Sequence, residues 1–309
     1  MTQAPDATLP KRVTIFGGSG FIGRRLVQRL VEAGTTVRIA DRQPERVRDR
    51  LPPHVADGLE TAVADVRDQI TVDAAVSGAD AVINLVGILY EKGEQTFQGV
   101  HEEGAGRVAD AAVRAGAGRL LHMSAIGADP DSAAAYGRSK AAGEAAVKRA
   151  LPTASIVRPS IVFGREDDFF NKFASMASIS PALPLIGGGR TRFQPVFVDD
   201  VAEAYVRILS DPLTAGETYE LGGPQVYTFR ELLELLLAQM RVRRLLLPLP
   251  FAIAEVEAFF FEKLPKPPLT RDQVALLRSD NVVSGRHPTL QTLGITPTPL
   301  ETVLPTYIR

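Results

Sequence analysis

Closely spaced glycines near the start of the chain constrain its fold more than any other feature of the sequence. Gly18 and Gly20 lie between a β-branched and aromatic run, 13–16, and a segment, 21–33, whose apolar residues recur at helical spacing. Gly23 lies in the first turn of that segment. A glycine turn between a strand and a helix is the context in which this motif binds the pyrophosphate of a dinucleotide. The pyrophosphate then lies at the helix N-terminus, where free N–H groups and the helix dipole favour an anion. The sequence therefore predicts a βαβ unit that binds a dinucleotide.

The first half of the chain alternates short apolar runs with helical patterns. Strands are predicted at 13–16, 37–40, 59–64, 81–85, 120–123 and 155–157, and helices at 21–33, 70–76, 104–115 and 140–149. Because strands that alternate with helices form right-handed βαβ units, we expect an α/β protein with a Rossmann-type doubly wound parallel sheet. We expect a dinucleotide-binding domain over 11–160 and a smaller C-terminal lobe over 161–309, with residues 192–222 returning to the first domain.

Composition excludes several kinds of chemistry. The 309 residues include no cysteine and four scattered histidines, so neither thiolate catalysis nor a metal site is expected. A net charge of −1 gives no reason to expect a nucleic-acid partner.

The sequence predicts neither a targeting segment nor a membrane span. Residues 1–10 are predicted to be a short disordered lead-in that is neither a secretory signal nor a transit peptide. No uncharged apolar run reaches the roughly 18 residues that a membrane span needs.

The predicted cofactor-binding residues follow the ends of the first four strands. They are Gly17, Gly18, Ser19, Gly20, Phe21, Ile22, Gly23, Arg24, Asp41, Arg42, Asp65, Val66, Leu85, Val86 and Gly87, together with Tyr136, Lys140 and Pro159. A carboxylate such as Asp41 is typical of a site that binds the ribose hydroxyls of NAD. Arg24 and Arg42 favour the 2′-phosphate of NADP, because guanidinium groups bind phosphate in bidentate fashion. We expect NADP(H), with NAD(H) as the alternative.

A tyrosine and a lysine four residues apart suggest a catalytic site. Tyr136 and Lys140 would lie on one face of a helix. The ammonium would lower the phenol pKa, so that the phenol could act as a general acid or base. Ser124, which follows the fifth strand, would hold the substrate oxygen. The alternative is a site that keeps these residues and only binds the cofactor.

These residues together resemble the extended and atypical short-chain dehydrogenase/reductases. The resemblance covers 11–237 and includes the glycine turn, Asp65, Ser124, Tyr136, Lys140 and the segments 158–160 and 195–201. A narrower resemblance, to the NDUFA9-type accessory subunit of respiratory complex I, is carried by the segments 158–167, 169–176, 194–196, 247–250 and 269–274.

The narrower resemblance implies a tightly held NADPH with a structural or assembly role at the junction of the peripheral and membrane arms. The partners would be other complex I subunits, and relatives in this group have also been tied to ubiquinone synthesis. Since no transit peptide is predicted, we expect a peripheral protein on the cytoplasmic side of a bacterial plasma membrane. The alternative function is a working NAD(P)-dependent reductase, epimerase or dehydratase.

An apolar segment in the second half, 245–261, is interrupted by two prolines and two glutamates. Its cationic flanks are Arg241, Arg243, Arg244, Lys263 and Lys266. Such a segment is typical of a helix at a membrane surface or of one that docks on a partner subunit. A core helix of the small lobe is the third interpretation. The complex I resemblance favours docking.

Overall fold

The computed structural model describes residues 8–265 and 267–308, so most of the predicted N-terminal lead-in lies outside the described residues. The strands are β1 (Arg12–Phe16), β2 (Thr36–Asp41), β3 (Glu60–Val63), β4 (Ala81–Asn84), β5 (Arg119–Met123), β6 (Ser155–Pro159), β7 (Val162–Phe163), β8 (Ala182–Ile186), β9 (Arg192–Phe193), β10 (Val196–Phe197), β11 (Thr218–Leu221), β12 (Tyr227–Thr228) and β13 (Leu245–Leu249). The helices are α1 (Phe21–Glu32), α2 (Pro53–Ala56), α3 (Gln69–Val76), α4 (Gly104–Arg114), α5 (Ala135–Ala150), α6 (Asp168–Ile179), α7 (Val198–Ser210), α8 (Phe229–Gln239), α9 (Phe251–Phe261), α10 (Arg271–Leu276) and α11 (Leu300–Val303). A π-helix over Gln98–Glu103 leads directly into α4.

Seven strands form one parallel sheet in the order β11-β6-β5-β4-β1-β2-β3. The chain runs outward from β1 to β3 and then returns to β4 on the other side of β1, which is the topological switch point of a doubly wound sheet. The register places Phe16 beside both Ala40 and Asn84, so the turns after β1, β2 and β4 meet at one edge. The predicted Rossmann-type parallel sheet is confirmed.

Apolar helix faces cover both sides of this sheet. On one side, Leu26, Leu30 and Tyr205 bring α1 and α7 into one buried cluster with the strands. On the other side, Val72 of α3 and Val108 of α4 belong to a second buried cluster. Because these side chains are removed from water, the two clusters hold the helices at fixed positions above the sheet edge.

The C-terminal residues form a separate apolar cluster. Aromatic and leucine side chains of α6, α8 and the last residues pack together, among them Phe163, Phe170, Phe229, Leu233 and Leu304. Residues 198–221 pack with the main sheet instead of this cluster. Helix α7 packs on α1, and β11 extends the main sheet beside β6. The division into 11–160 and 161–309, with 192–222 returning, stays a prediction.

The segment 245–261 is not one core helix. Its first half is β13, which pairs in parallel with β8, and α9 begins after Pro250. Only Ala254 and Ala258 of α9 are buried, whereas Ile253, Val256 and Phe260 are each more than half exposed. The interpretation as a core helix is therefore wrong. No helix in the described part of the chain is long and apolar enough to cross a membrane.

Candidate dinucleotide site

A cleft of about 300 Å³ opens where β1, β2, β3 and β4 end. The predicted cofactor-binding residues that line it are Gly17, Ser19, Gly20, Asp41, Arg42, Asp65, Val66, Leu85, Val86 and Gly87. Further lining residues, which the sequence did not indicate, are Phe16, Ala40, Ala64, Arg67, Ile88, Gln95 and Val100. Among the described residues, the predicted ones outside the cleft wall are Gly18, Phe21, Ile22, Gly23, Arg24, Tyr136, Lys140 and Pro159.

The glycine turn depends on two different properties of glycine. Gly17 has a φ of +77°, in the left-handed region that residues with a Cβ atom rarely adopt. At Gly23, a Cβ atom would lie 2.4 Å from the Gly17 carbonyl oxygen and 2.7 Å from the Gly18 Cα, so the helix could not approach the turn. Gly20 caps α1 without any side-chain hydrogen bond. The first N–H groups of α1 are therefore left for an anion, as a pyrophosphate site requires.

The two carboxylates of the cleft are already engaged. The Ser19 hydroxyl donates to Asp41, and the Gln43 N–H donates to the other Asp41 oxygen at 3.1 Å. Asp65 accepts a bidentate pair of hydrogen bonds from Arg67, with Nε at 3.0 Å and Nη2 at 2.7 Å. This guanidinium holds the pKa of Asp65 below its usual value. The Asp65 charge is thus balanced inside the cleft wall.

Arg24 is predicted to bind the cofactor, but its side chain does not line the cleft. It is 7% exposed, and its guanidinium forms an ion pair with Glu166 and donates to the Ser19 carbonyl oxygen at 3.4 Å. The side chain therefore ties the glycine turn to the loop before α6. This differs from the predicted contact with a 2′-phosphate, because the partner carboxylate comes from a part of the chain 142 residues away.

Tyr136 and Lys140 share a helix, as the spacing predicts, although α5 begins five residues before the predicted start. Lys140 is 3% exposed, and its Nζ donates to the Met123 carbonyl oxygen at 2.6 Å. Burial lowers the pKa of Lys140 to about 8. Burial also raises the pKa of Tyr136 to about 12, which is opposite to the predicted direction. The desolvation of the phenol outweighs any help from the ammonium.

Ser124 lies directly after β5, next to the carbonyl that holds Lys140. Its hydroxyl is buried and has no hydrogen-bond partner among the described residues. An unsatisfied buried hydroxyl carries a free-energy cost of about 1–3 kcal/mol unless a bound group supplies the partner. The structure thus brings Ser124 and Lys140 to the same strand end.

A buried histidine that sequence reasoning missed organises this end of the site. His101 Nε2 accepts from the Ile88 N–H at 2.9 Å, so Nδ1 carries the proton and donates to the Ser139 Oγ at 2.8 Å. The Ser139 hydroxyl in turn donates to the Tyr136 carbonyl oxygen at 2.8 Å. Burial lowers the pKa of His101 to about 3, so the ring is neutral. A single histidine in a helical pattern gave no signal of this role.

The sequence matches the model of the NAD dependent epimerase/dehydratase family over residues 13–222. The "NADH dehydrogenase [ubiquinone] 1 alpha subcomplex subunit 9, mitochondrial" of Arabidopsis thaliana is 37% identical over 300 residues, which are 93% of this chain and 75% of that protein. The protein of the same name from Mus musculus is 34% identical, over 93% of this chain and 77% of its own length.

The solved structure of the Citrobacter sp. triphenylmethane reductase complexed with NADP(H) has the same fold. It superimposes with a TM-score of 0.76 at 19% identity and covers 96% of this chain and 99% of its own. At this identity the likeness supports the fold alone.

The relatives correct one prediction. Both proteins named above carry a mitochondrial designation, so the expected location on the cytoplasmic side of a bacterial plasma membrane is wrong.

The family match and the relatives agree with the geometry of the cleft. The match over 13–222 covers the main sheet from β1 to β11 and therefore every strand end around the cleft. The relatives extend the likeness over 93% of the chain. This chain belongs to the NAD dependent epimerase/dehydratase family and, within it, to the group formed by subunit 9 of the alpha subcomplex of NADH dehydrogenase.

Proposed function

We propose that this chain is an accessory subunit of respiratory complex I that binds a reduced nicotinamide dinucleotide in the cleft as a structural ligand. The observation that carries the proposal is the extent of the match to the subunit 9 proteins. It reaches 93% of the chain, whereas the general family model ends at residue 222. The C-terminal lobe is thus shared with subunits of that complex, and we propose that it makes the contacts with other complex I subunits.

The chemistry at the start of α5 supports a binding role over base catalysis. Burial raises the pKa of Tyr136 to about 12, so the phenol stays protonated at neutral pH and does not act there as the base that alcohol oxidation requires. The Lys140 ammonium is hydrogen-bonded to a backbone carbonyl. A ligand that binds only the folded state stabilises it by about 3–4 kcal/mol at a hundred- to thousandfold excess over Kd. A tight dinucleotide would therefore hold the subunit in shape.

The test is purification of the complex with a tagged copy of this chain, followed by mass spectrometry of the subunits and of the released nucleotide. We expect complex I subunits and a dinucleotide close to one per chain. Tyr136→Phe removes the acid/base group and should leave both assembly and nucleotide content unchanged. A free protein that never associates with the complex would overturn the proposal, and loss of cellular function in Tyr136→Phe would favour catalysis.

We propose NADP(H) as the nucleotide, with NAD(H) as the alternative. Arg42 is exposed and lines the cleft beside Asp41, where a 2′-phosphate would lie. Arg67 also lines the cleft, but its guanidinium is already paired with Asp65, so Arg42 alone carries the proposed contact with the 2′-phosphate. Both Asp41 oxygens already accept hydrogen bonds, which offsets part of the repulsion between carboxylate and phosphate.

Titration of wild type and Arg42→Ala with NADPH and NADH tests this preference. A charge-assisted hydrogen bond contributes about 1.5–3 kcal/mol, so we expect Arg42→Ala to weaken NADPH binding at least tenfold and NADH binding by less than twofold. Arg165→Ala changes an exposed arginine outside the cleft wall and is the control. Tighter binding of NADH than of NADPH by the wild type would overturn the preference.

The buried hydroxyl of Ser124 favours a second candidate, an active NAD(P)-dependent reductase, epimerase or dehydratase. This hydroxyl lacks a partner among the described residues and lies beside the strand end that holds Lys140. A substrate oxygen would supply the missing hydrogen bond. Turnover of a sugar-nucleotide or quinone-related substrate that requires both Ser124 and Tyr136 would establish this function in place of the structural one; a reductase would oxidise the dinucleotide, whereas an epimerase or dehydratase would convert the substrate without net oxidation.

We propose that the segment 245–261 contacts a membrane surface or a neighbouring subunit. Its side chains Ile253, Val256 and Phe260 are 51%, 59% and 60% exposed. Lys263 lies 5.0 Å from the Phe259 ring centroid, so cations border the apolar face. Phe260→Ser should reduce sedimentation with anionic vesicles several-fold, while Ile179→Ser, a change at an exposed isoleucine elsewhere, should not. Equal sedimentation of all three proteins would exclude the membrane contact.

A further inference from the structure

Asp272 lies in the C-terminal lobe, yet its side chain contacts the helix that carries Tyr136 and Lys140. Asp272 Oδ1 accepts from the Ala135 N–H at 2.5 Å, and Oδ2 accepts from the Tyr136 N–H at 3.0 Å. The residue at the start of α5, Ala134, offers no side-chain cap. We propose that Asp272 is a positioning residue that sets the N-terminal turn of α5, and with it the positions of Tyr136 and Lys140, from 136 residues away.

A carboxylate at the start of a helix satisfies N–H groups that have no partner within the helix and interacts favourably with the helix dipole. Here the two oxygens occupy two successive N–H groups, which fixes both the position and the rotation of the first turn. The Tyr136 N–H is one of the two donors, so any shift of the carboxylate moves the Tyr136 backbone directly. Lys140 follows one turn later on the same helix.

Asp272 is itself held by the packing of α10 against α9. Val274 of α10 is buried with Ala254 and Ala258 of α9. Ion pairs join Arg278 to Glu255 at 2.7 Å and Arg271 to Glu262 at 2.9 Å. The two helices therefore form one unit, named here the α9–α10 pair, which carries the exposed apolar face of 251–261.

A second anchor follows α10. Asn281 Oδ1 accepts from the Ser160 hydroxyl at 2.7 Å and from the Ile161 N–H at 3.0 Å, and its Nδ2 donates to the Ile126 carbonyl oxygen at 3.2 Å. These partners belong to the loops after β5 and β6. The segment 271–281 is therefore attached at both ends to the edge of the sheet where α5 begins. A movement of the α9–α10 pair is passed to α5 through the Asp272 carboxylate.

The inference deepens the proposed dinucleotide site and rests on it for the nucleotide measurements. Binding and docking are reciprocal if they are coupled, since the effect of one on the other holds in both directions. A contact on the exposed face of α9 would then change nucleotide affinity, and nucleotide would change that contact by the same factor.

The experiment compares wild type with Asp272→Ala and Asp272→Asn in the full chain. Without nucleotide, amide hydrogen exchange is measured at Ala135 and Tyr136. With NADPH, the affinity and the emission spectrum of the bound nicotinamide are measured. Loss of a helix cap typically shifts the equilibrium between the folded and unfolded helix turn about tenfold towards the unfolded form. We expect about tenfold faster exchange, about tenfold weaker binding and a shifted emission in Asp272→Ala, with smaller effects in Asp272→Asn, which keeps one acceptor.

Thr228→Ala is the matched control, because it removes the capping box of α8, away from the cleft. It should destabilise the protein and leave exchange at α5, affinity and emission unchanged. Unchanged exchange and emission in Asp272→Ala would overturn the inference, and Asp272→Asn decides if the alanine variant does not fold. If wild type binds no dinucleotide, the proposed function fails while the exchange measurement still decides the role of Asp272.

Discussion

Lys140 is a buried cation whose replacement should change the pH dependence of stability in the dinucleotide-free protein. Burial lowers its pKa from 10.5 to about 8, against the opposing effect of the Glu144 charge. Because the pKa is lower in the folded state, the unfolded chain binds more protons between pH 8 and pH 10.5, so stability rises with pH across this window. This gain in stability is fully present above pH 10.5, declines as the pH falls, and is lost once the pH has fallen through 8 and the lysine is charged in both states.

The magnitude follows from the two pKa values. Each pH unit between them corresponds to about 1.4 kcal/mol, so the charged lysine lowers the free energy of unfolding by about 3 kcal/mol at neutral pH. Lys140→Met keeps an unbranched side chain, shorter by one atom, and removes the charge. It also leaves the Met123 carbonyl without the donor at 2.6 Å, which costs about 1–3 kcal/mol at every pH. Only the charge effect depends on pH.

The assay is urea unfolding of both proteins at pH 7 and pH 10.5 without nucleotide. The stability of Lys140→Met relative to wild type should be about 3 kcal/mol more favourable at pH 7 than at pH 10.5. Lys92→Met, at an exposed lysine, is the control and should show no such change. A difference between Lys140→Met and wild type that stays constant across the window would refute the reasoning.

Two glycine substitutions test close approaches in the structure, and a third tests a position where a Cβ has room. Gly23→Ala places a Cβ 2.4 Å from the Gly17 carbonyl oxygen, so we expect a loss of about 1–3 kcal/mol and no measurable dinucleotide binding; a wild-type Tm would contradict this. Gly143→Ala places a Cβ 2.1 Å from the His101 carbonyl oxygen and should lower the Tm similarly by forcing α5 away from the π-helix; an unchanged Tm would contradict this packing. Gly106→Ala lies in the interior of α4 with only ordinary contacts, so calorimetry should find a gain of about 0.5–1 kcal/mol, and a loss there would speak against the packing of α4 on α5.

The sequence predicts the parts of the fold that depend on local patterns. β1 to β6 are short runs that a parallel sheet buries, and their predicted bounds lie close to those observed. β11 was missed because its Glu220 breaks the apolar run. In the structure that carboxylate is buried and accepts from the Ser284 N–H at 2.5 Å, a partner 64 residues away. β13 was missed because Pro248 argues against a strand, although proline is tolerated in a strand at the edge of a sheet.

The residues of the candidate site also differ in how well the sequence predicts their roles. Residues that follow strand ends, such as Asp41 and Asp65, are predictable because the carboxyl ends of parallel strands meet at one edge. The roles of Arg24, His101 and Asp272 depend on partners 142, 38 and 137 residues away. Side-chain periodicity carries no information on contacts at such distances. The tertiary structure alone determines which arginine faces the cleft and which is bound to a carboxylate.

The ionisable side chains around α5 share one property that bears on function. Burial lowers the pKa of His101 to about 3 and that of Lys140 to about 8, and raises that of Tyr136 to about 12. All three shifts favour the uncharged form. A general acid or base needs a pKa near the working pH, so an active Tyr136 would require the opposite shift. Lys140 still carries its charge at pH 7, so α5 presents one buried cation beside a neutral phenol and a neutral imidazole. This combination suits the binding of a dinucleotide better than proton transfer by Tyr136.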